Sequence, residues 1–495
     1  MSMVSSTSPI LSLFTAFDDD AESVFEDAIT AIEREDELID KCEQIMPPRM
    51  EHFENETMLS CFTECILPLS LAGCGQLATG LFLNYVSRKS FFTQIPVAFA
   101  LITPLLNLKG NLEMNFASRI ATYCHTGDIK TNNDLMNLGC INHGLSQSQT
   151  ISVSALITIF CLLLNFDMPM NNMMILMSSV ISTASVASFT IETFLIGVII
   201  VARKLNINPD NVATPIAATF GDISTLFFYV ILGFLFIQSC PYKFCYLSLA
   251  AVLVSLTLIP FYIRLAAAHP STQRALYAGW MPLFIATIIS SGGGYVLKTA
   301  HERFRGYALL QPVIVGLVGS MCGIQASRLS SDLHVWHKRN ELAPGTYPRG
   351  SLLSTFNPIS TFFHEGIQSK VALMMIFVAM PTQLFFAIIL LKVGGSGDVV
   401  CLSFCIGYLL CVFALITLFM YLCQLFVHLS WRFDHDPDYG VIPLLTAFCD
   451  FIGSTLLMIV FVVLDAFGFI AAGRTHETPF STIVTLMMTT TDVPS

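Results

Sequence analysis

The chain carries little charge. Asp, Glu, Lys and Arg make up 12% of its 495 residues, while 54% are hydrophobic. A water-soluble protein of this length needs about twice that charged fraction to cover its surface, so a soluble globule is excluded and a membrane protein is indicated. Zinc-binding spacings are missing too. His334 and His337 form a lone pair in a loop, and most of the 15 cysteines, such as Cys161, Cys411 and Cys449, lie in apolar runs. A thiol there behaves as a small hydrophobe. No cleavage site follows the short apolar stretch Pro9–Phe17; an acidic run does, so the first true span is expected to insert the chain. There is no basic excess. Residues 1–58 hold 15 acidic and 3 basic residues, and the remainder hold 20 and 21. The net charge of −11 therefore belongs to an acidic N-terminal tail, and a nucleic-acid partner is not expected. Phe25, Ile29 and Ile32 stand at helical spacing within that tail, which otherwise reads as solvated.

What is present is a series of apolar runs long enough to cross a bilayer. Eleven are legible, at about 60–84, 94–123, 148–168, 173–202, 212–238, 244–268, 277–297, 308–331, 370–393, 398–430 and 441–472. A cytosolic N-terminus places 15 Lys and Arg on inner segments and 8 on outer ones, which is the favoured orientation. Eleven spans then put the C-terminus outside, and the sequon at Asn55 falls on the cytosolic side. Cys240 and Cys245 flank the loop after the fifth span, where a disulfide is an open question.

Three segment pairs recur in the same order. Residues 208–222 (NPDNVATPIAATFGD) align with 436–450 (DPDYGVIPLLTAFCD) at an offset of 228. Residues 110–119 (GNLEMNFASR) align with 319–328 (GSMCGIQASR) at 209, and Pro68 and Gly80 match Pro282 and Gly294 at 214. The expected fold is an all-α polytopic membrane protein. Two parallel five-helix repeats, 59–240 and 277–472, are joined by an extra transmembrane helix in 241–276. A 1–58 tail precedes them and a 473–495 tail follows. An odd number of spans per repeat needs the extra helix to restore orientation, so the pseudo-two-fold axis should run along the membrane normal, with a path between the repeats.

Asp222 and Asp450 occupy equivalent positions near mid-span, where a charge costs about 2.5–3.5 kcal/mol and must face protein or water. Thr219, Asp222 and Thr225 recur at three-residue spacing; Thr446, Asp450 and Ser454 recur at four, so each set shares a helix face. Pro215 and Pro443 precede the aspartates by seven residues, and each frees a backbone carbonyl. Two carboxylates brought to one axis require a shared proton or an intervening cation. Magnesium suits the latter, because it prefers oxygen ligands and keeps much of its water. In the second span, Glu113 either pairs with Lys109 or lines the pathway with Asn107 and Asn111. Its counterpart in the second half is Cys322, and that of Asn111 is Ser320, so the site cannot be fully symmetric. Glu192 is a further intramembrane acid, either a pathway residue or one satisfied by a local partner.

The segments LLNLKGNLEMNFASR, NINPDNVATPIAATFGDISTL, IQASRLSS and DPDYGVIPLLTAFCDFIGSTLL resemble the hallmark segments of solute carrier family 41, relatives of the MgtE magnesium transporters. The resemblance spans roughly residues 60–470. It implies a divalent-cation transporter with two MgtE-like halves in one chain, Mg2+ as cargo, no cofactor, and no need to oligomerise. Carried over by motif, the ion site falls on Asp222 and Asp450, with the backbone carbonyls of Ala218 and Thr446; Glu113 lies in a matching segment. Three departures stand out. Residues 1–58 are too short for the cytosolic magnesium-sensing domains of bacterial MgtE. Gly221 becomes Cys449 in the second half. Ser320 stands where Asn is expected.

A rival class is an intramembrane aspartyl protease. The sequence disfavours it, since Asp222 lacks a Gly-x-Gly-Asp context and no span carries a Tyr-Asp element. The reading is therefore a transporter and not an enzyme, multi-pass in the lipid bilayer and expected in the plasma membrane. Mg2+ and other divalent cations are its cargo. Channel-like uniport and sodium-coupled exchange both remain open, because no feature identifies a Na+ site.

Overall fold

The structure is a computed structural model that describes residues 58–126, 129–165, 167–204, 209–240, 245–336, 356–363, 367–433 and 437–469. The expected tail helix at Phe25–Ile32, the C-terminal tail and His337 lie outside the described residues. Among the described residues there is no strand, and eleven helices exceed 20 residues. They are α1 (Met58–Val86), α2 (Ile102–Thr126), α3 (Asn132–Leu163), α4 (Met170–Lys204), α5 (Pro209–Gln238), α6 (Tyr246–Ala266), α7 (Trp280–Arg303), α8 (Tyr307–Trp336), α9 (Ile367–Val393), α10 (Leu402–Arg432) and α11 (Pro437–Ala466). Nine of them, α3 to α11, are long and apolar enough to cross a membrane by length and composition. The chain is thus an all-α polytopic membrane protein. The second helix, α2, reads less apolar because Lys109, Glu113 and Arg119 fall within one stretch of it.

His334 was expected in a loop but lies in the last turn of α8. One boundary also needs correction. The third span was expected at 148–168, but α3 begins at Asn132. Its first four turns are polar, and hydropathy passed over them because they pack against protein rather than lipid: Asn142, Ser146, Gln147 and Ser148 are all fully buried. The start is fixed by a capping box. Thr131 Oγ1 accepts from the Asp134 amide at 3.2 Å, and the Asp134 carboxylate accepts from the Thr131 amide at 2.8 Å.

The packing is approximately repeated. Helices α1 and α2 pack on α5 as α7 and α8 pack on α11; α3–α4–α5 form a row as α9–α10–α11 do. Between the halves, α1 meets α8 and α2 meets α7. These two crossings are equivalent residue by residue. A Cβ on Gly80 would overlap the carbonyl oxygen of Leu309, and a Cβ on Gly294 would overlap that of Ala100. Gly80 and Gly294 are separated by the 214 offset, and Ala100 and Leu309 by the 209 offset. Only glycine lets the backbones approach this closely. Helix α6 packs on α3 and α4. Its remaining surface presents exposed apolar side chains, among them Leu249, Leu253, Val254 and Phe261, a face suited to a bilayer core. Cys240 and Cys245 are joined by a disulfide that closes the loop between α5 and α6.

Gly294→Val should lower the melting temperature of the detergent-solubilised protein, at a cost of about 1–3 kcal/mol from overpacking against a backbone that cannot yield. Gly197→Ala, where an added Cβ meets nothing within 4 Å, is the control and should melt with wild type. Equal melting of the Gly294 variant would remove this crossing as a structural constraint.

Candidate cation site

Each central aspartate has a hydrogen-bond donor from the first helix of its own half. Gln76 Nε2 on α1 donates to Asp222 Oδ2 at 2.7 Å, and Ser290 Oγ on α7 donates to Asp450 Oδ2 at 2.6 Å. Gln76 and Ser290 are themselves related by the 214 offset that links Gly80 to Gly294. A buried carboxylate needs such donors, because nothing else offsets its lost hydration. Both donors are buried, whereas Asp222 and Asp450 each keep partial exposure.

Helix α2 crosses to the second half at the same level. Asn111 Nδ2 donates to Asn107 Oδ1 at 3.0 Å, and Thr446 Oγ1 lies 3.1 Å from Asn111 Oδ1. Asn107 and Asn111 are one turn apart on α2, and Thr446 and Asp450 are one turn apart on α11. The Thr446–Asn111 contact therefore bridges α11 of one half and α2 of the other near Asp450. Helix α11 runs unbroken through Thr446, so the Thr446 carbonyl can meet an ion only with the lone pair its helix leaves unused. Ala218 and Thr219 belong to α5, but their side chains lie outside the described residues.

The remaining candidates sit apart from this contact. Glu113 is fully buried and ion-paired to Lys109 Nζ at 2.9 Å. Its other oxygen presses on Gly221, where a Cβ would overlap it, so it abuts the residue before Asp222. Lys109 Nζ also donates to Ser188 Oγ at 2.5 Å. The second half replaces this charge pair with buried Val318 and Cys322. Glu192 has a partner after all: it accepts from His143 Nδ1 at 2.5 Å and from Ser146 Oγ, both on α3. Thr225 is buried beside Asp222 on α5, its hydroxyl without a hydrogen-bond partner. Ser454 faces α8 instead, its carbonyl accepting from Tyr307 Oη at 2.6 Å and its hydroxyl from Gln311 Nε2 at 3.2 Å. Among the described residues, no three His, Cys, Asp or Glu side chains are grouped to grip one ion.

Sequence reasoning missed Gln76 and Ser290. The signal was available: extending the Pro68/Pro282 and Gly80/Gly294 match places them opposite each other. Their unlike side chains concealed the equivalence.

A duplicated bundle of apolar helices around two partly exposed carboxylates is the outline of an ion transporter, and comparison with known proteins agrees. The model of MgtE, described as a divalent cation transporter, matches residues 102–232 and 311–460. The two matched segments start 209 residues apart and end 228 apart, the offsets of the internal repeats. Solute carrier family 41 member 2 of Mus musculus is 33% identical over 89% of this chain and 76% of its own length. Member 3 of Rattus norvegicus is 33% identical over 82% of this chain and 88% of its own length. Member 2 of Homo sapiens is 35% identical over 82% and 70%. The chain belongs to this MgtE-like solute carrier family 41, and is a transporter rather than an enzyme. No solved structure matches it.

Lys109→Met should destabilise the protein by about 3–5 kcal/mol, because it strands the Glu113 charge in the interior. The double variant Lys109→Met/Glu113→Met should recover most of that loss in a thermal-shift assay. A Lys109→Met protein as stable as wild type would show that the pair does not hold the helix in place.

Proposed function

We propose that the chain carries Mg2+ across the membrane through a path between its two repeats, the ion being held by Asp222 and Asp450. The observation that carries this reading is the equivalent placement of the two carboxylates. Each is partly exposed, and each is fixed by a donor at a matching position. Without a cation that arrangement concentrates negative charge at low dielectric; a divalent ion balances both charges at once. Mg2+ retains its inner water reluctantly lost, so two carboxylates together with the Asn107, Asn111 and Thr446 polar edge can hold it through water and still release it. The carbonyls of Ala218 and Thr446 are further oxygen ligands, and Glu113 adds negative potential from behind Gly221. Other divalent cations of similar hydration are expected to compete. The MgtE-like relatives favour Mg2+ as the physiological cargo.

On the same reading the N-terminus lies in the cytosol and the C-terminus outside, in the plasma membrane. The Cys240–Cys245 disulfide supports that orientation, since five spans from a cytosolic N-terminus put this loop on the oxidising side. The duplicated core supplies both halves of the site from one chain, so transport does not require a second copy.

Mg2+ flux into reconstituted vesicles tests the reading. Asp222→Ala and Asp450→Ala should each abolish flux while the proteins remain monodisperse. Wild-type flux in both variants would remove the site. The same vesicles with and without a Na+ gradient separate uniport, which ignores the gradient, from sodium-coupled exchange, which follows it.

A further inference from the structure

A cavity of about 570 Å3 opens where α1, α8 and α9 come together, at the ends where α1 stops (Val86), α8 starts (Tyr307) and α9 stops (Val393). Both repeats line it. Arg88 and Lys89 come from the chain just after α1, and Arg305 from the turn before α8. All three are exposed. Three cations around one cavity repel each other, and the nearby acids do not balance them. The Asp398 carboxylate is 3.9 Å from Arg305 Nη1 and is itself exposed. Among the described residues the Arg88 guanidinium has no partner. Lys89 Nζ lies 4.4 Å above the ring centre of Tyr85, a contact that leaves its charge uncancelled. The neighbouring Arg303, outside the cavity, spends its charge on Asp465 at 3.4 Å. Arg305 is also pinned in place: its Nη2 donates at 2.5 Å to the carbonyl of Gly395, the left-handed glycine that follows α9.

We propose that this cavity is a binding site for a phosphate group, held by Arg88 and Lys89 of the first repeat and Arg305 of the second. A guanidinium offers paired N–H donors to phosphate oxygens, and an ammonium adds a point charge. A phospholipid headgroup and a free phosphate share this chemistry. The wall favours the lipid. Leu81 and the exposed Val393 give the cavity an apolar side below its cations, and exposed Tyr85 stands where an aromatic residue marks the membrane–water interface. Basic pockets between membrane helices take lipid phosphates in this way. The site is separate from the carboxylates, since Tyr85 lies about 13 Å along α1 from Gln76. A phosphate bound here touches both repeats and ties them together at this end of the molecule.

Thermal shift of the detergent-solubilised full chain tests this. Phosphatidylglycerol in mixed micelles should raise the melting temperature. Diacylglycerol, with the same tails and no phosphate, should not. Inorganic phosphate is the third arm: a shift with phosphatidylglycerol alone assigns a lipid, and an equal shift with inorganic phosphate assigns a soluble anion. Either result upholds the site. Arg88→Gln/Lys89→Gln should weaken the apparent affinity for the effective compound about tenfold or more, the loss of charge-assisted contacts. Both side chains are exposed, so the variant leaves the core untouched. Arg305→Gln should weaken the same response from the other repeat. The control Arg264→Gln/Lys370→Gln removes equal charge from exposed positions near the end of α6 and the start of α9, and should respond as wild type. The proposal is overturned if neither phosphate compound shifts wild type beyond diacylglycerol, if the cavity variants respond with wild-type affinity, or if the control pair loses as much as they do.

Discussion

The constraint that organises this molecule is that a carboxylate within a bundle of apolar helices must be met by donors. Two such carboxylates sit near the middle of α5 and α11, and the helices that meet them are α1 and α7. Their donors, Gln76 and Ser290, lie one helical turn before Gly80 and Gly294, the glycines at which α1 and α7 touch the backbone of the other repeat. Donor and crossing share a helix face. The close crossing fixes how deep each first helix sits, and that depth sets where its donor falls. The small-residue runs LAGCGQLATG and SSGGG thus serve packing and site geometry together. A bulky residue at the crossing would displace the donor as well as the helix.

Much of this was legible in the sequence, and the part that was not has a physical reason. Apolar runs reveal helices that face lipid, so α4 to α11 could be placed within a few residues. Hydropathy cannot reveal a helix whose polar side chains face other helices. That is why the first half of α3, with Asn142, Ser146 and Gln147 buried against its neighbours, fell outside the expected third span although Thr131 and Asp134 marked its start. The aspartates could be found because duplication kept them identical. Gln76 and Ser290 could not be found by likeness, because duplication conserved the position and the task but not the side chain. Asn107 and Asn111 were readable as polar residues on α2; that Asn111 accepts from Thr446 depends on the packing of α2 against α11, which no single segment encodes.

Charge is distributed unequally between the halves. The first repeat buries Lys109 against Glu113 and sets the partly exposed His143 against buried Glu192, both within the layer formed by α2, α3 and α4. The second repeat holds Val318 and Cys322 where the first holds Lys109 and Glu113. A buried pair of this kind rarely adds stability over an apolar substitute. Its presence on one side only sets the potential felt at the axis. Glu113 lies against Gly221, the residue before Asp222, while the second half places Cys322 at the equivalent position of its own repeat.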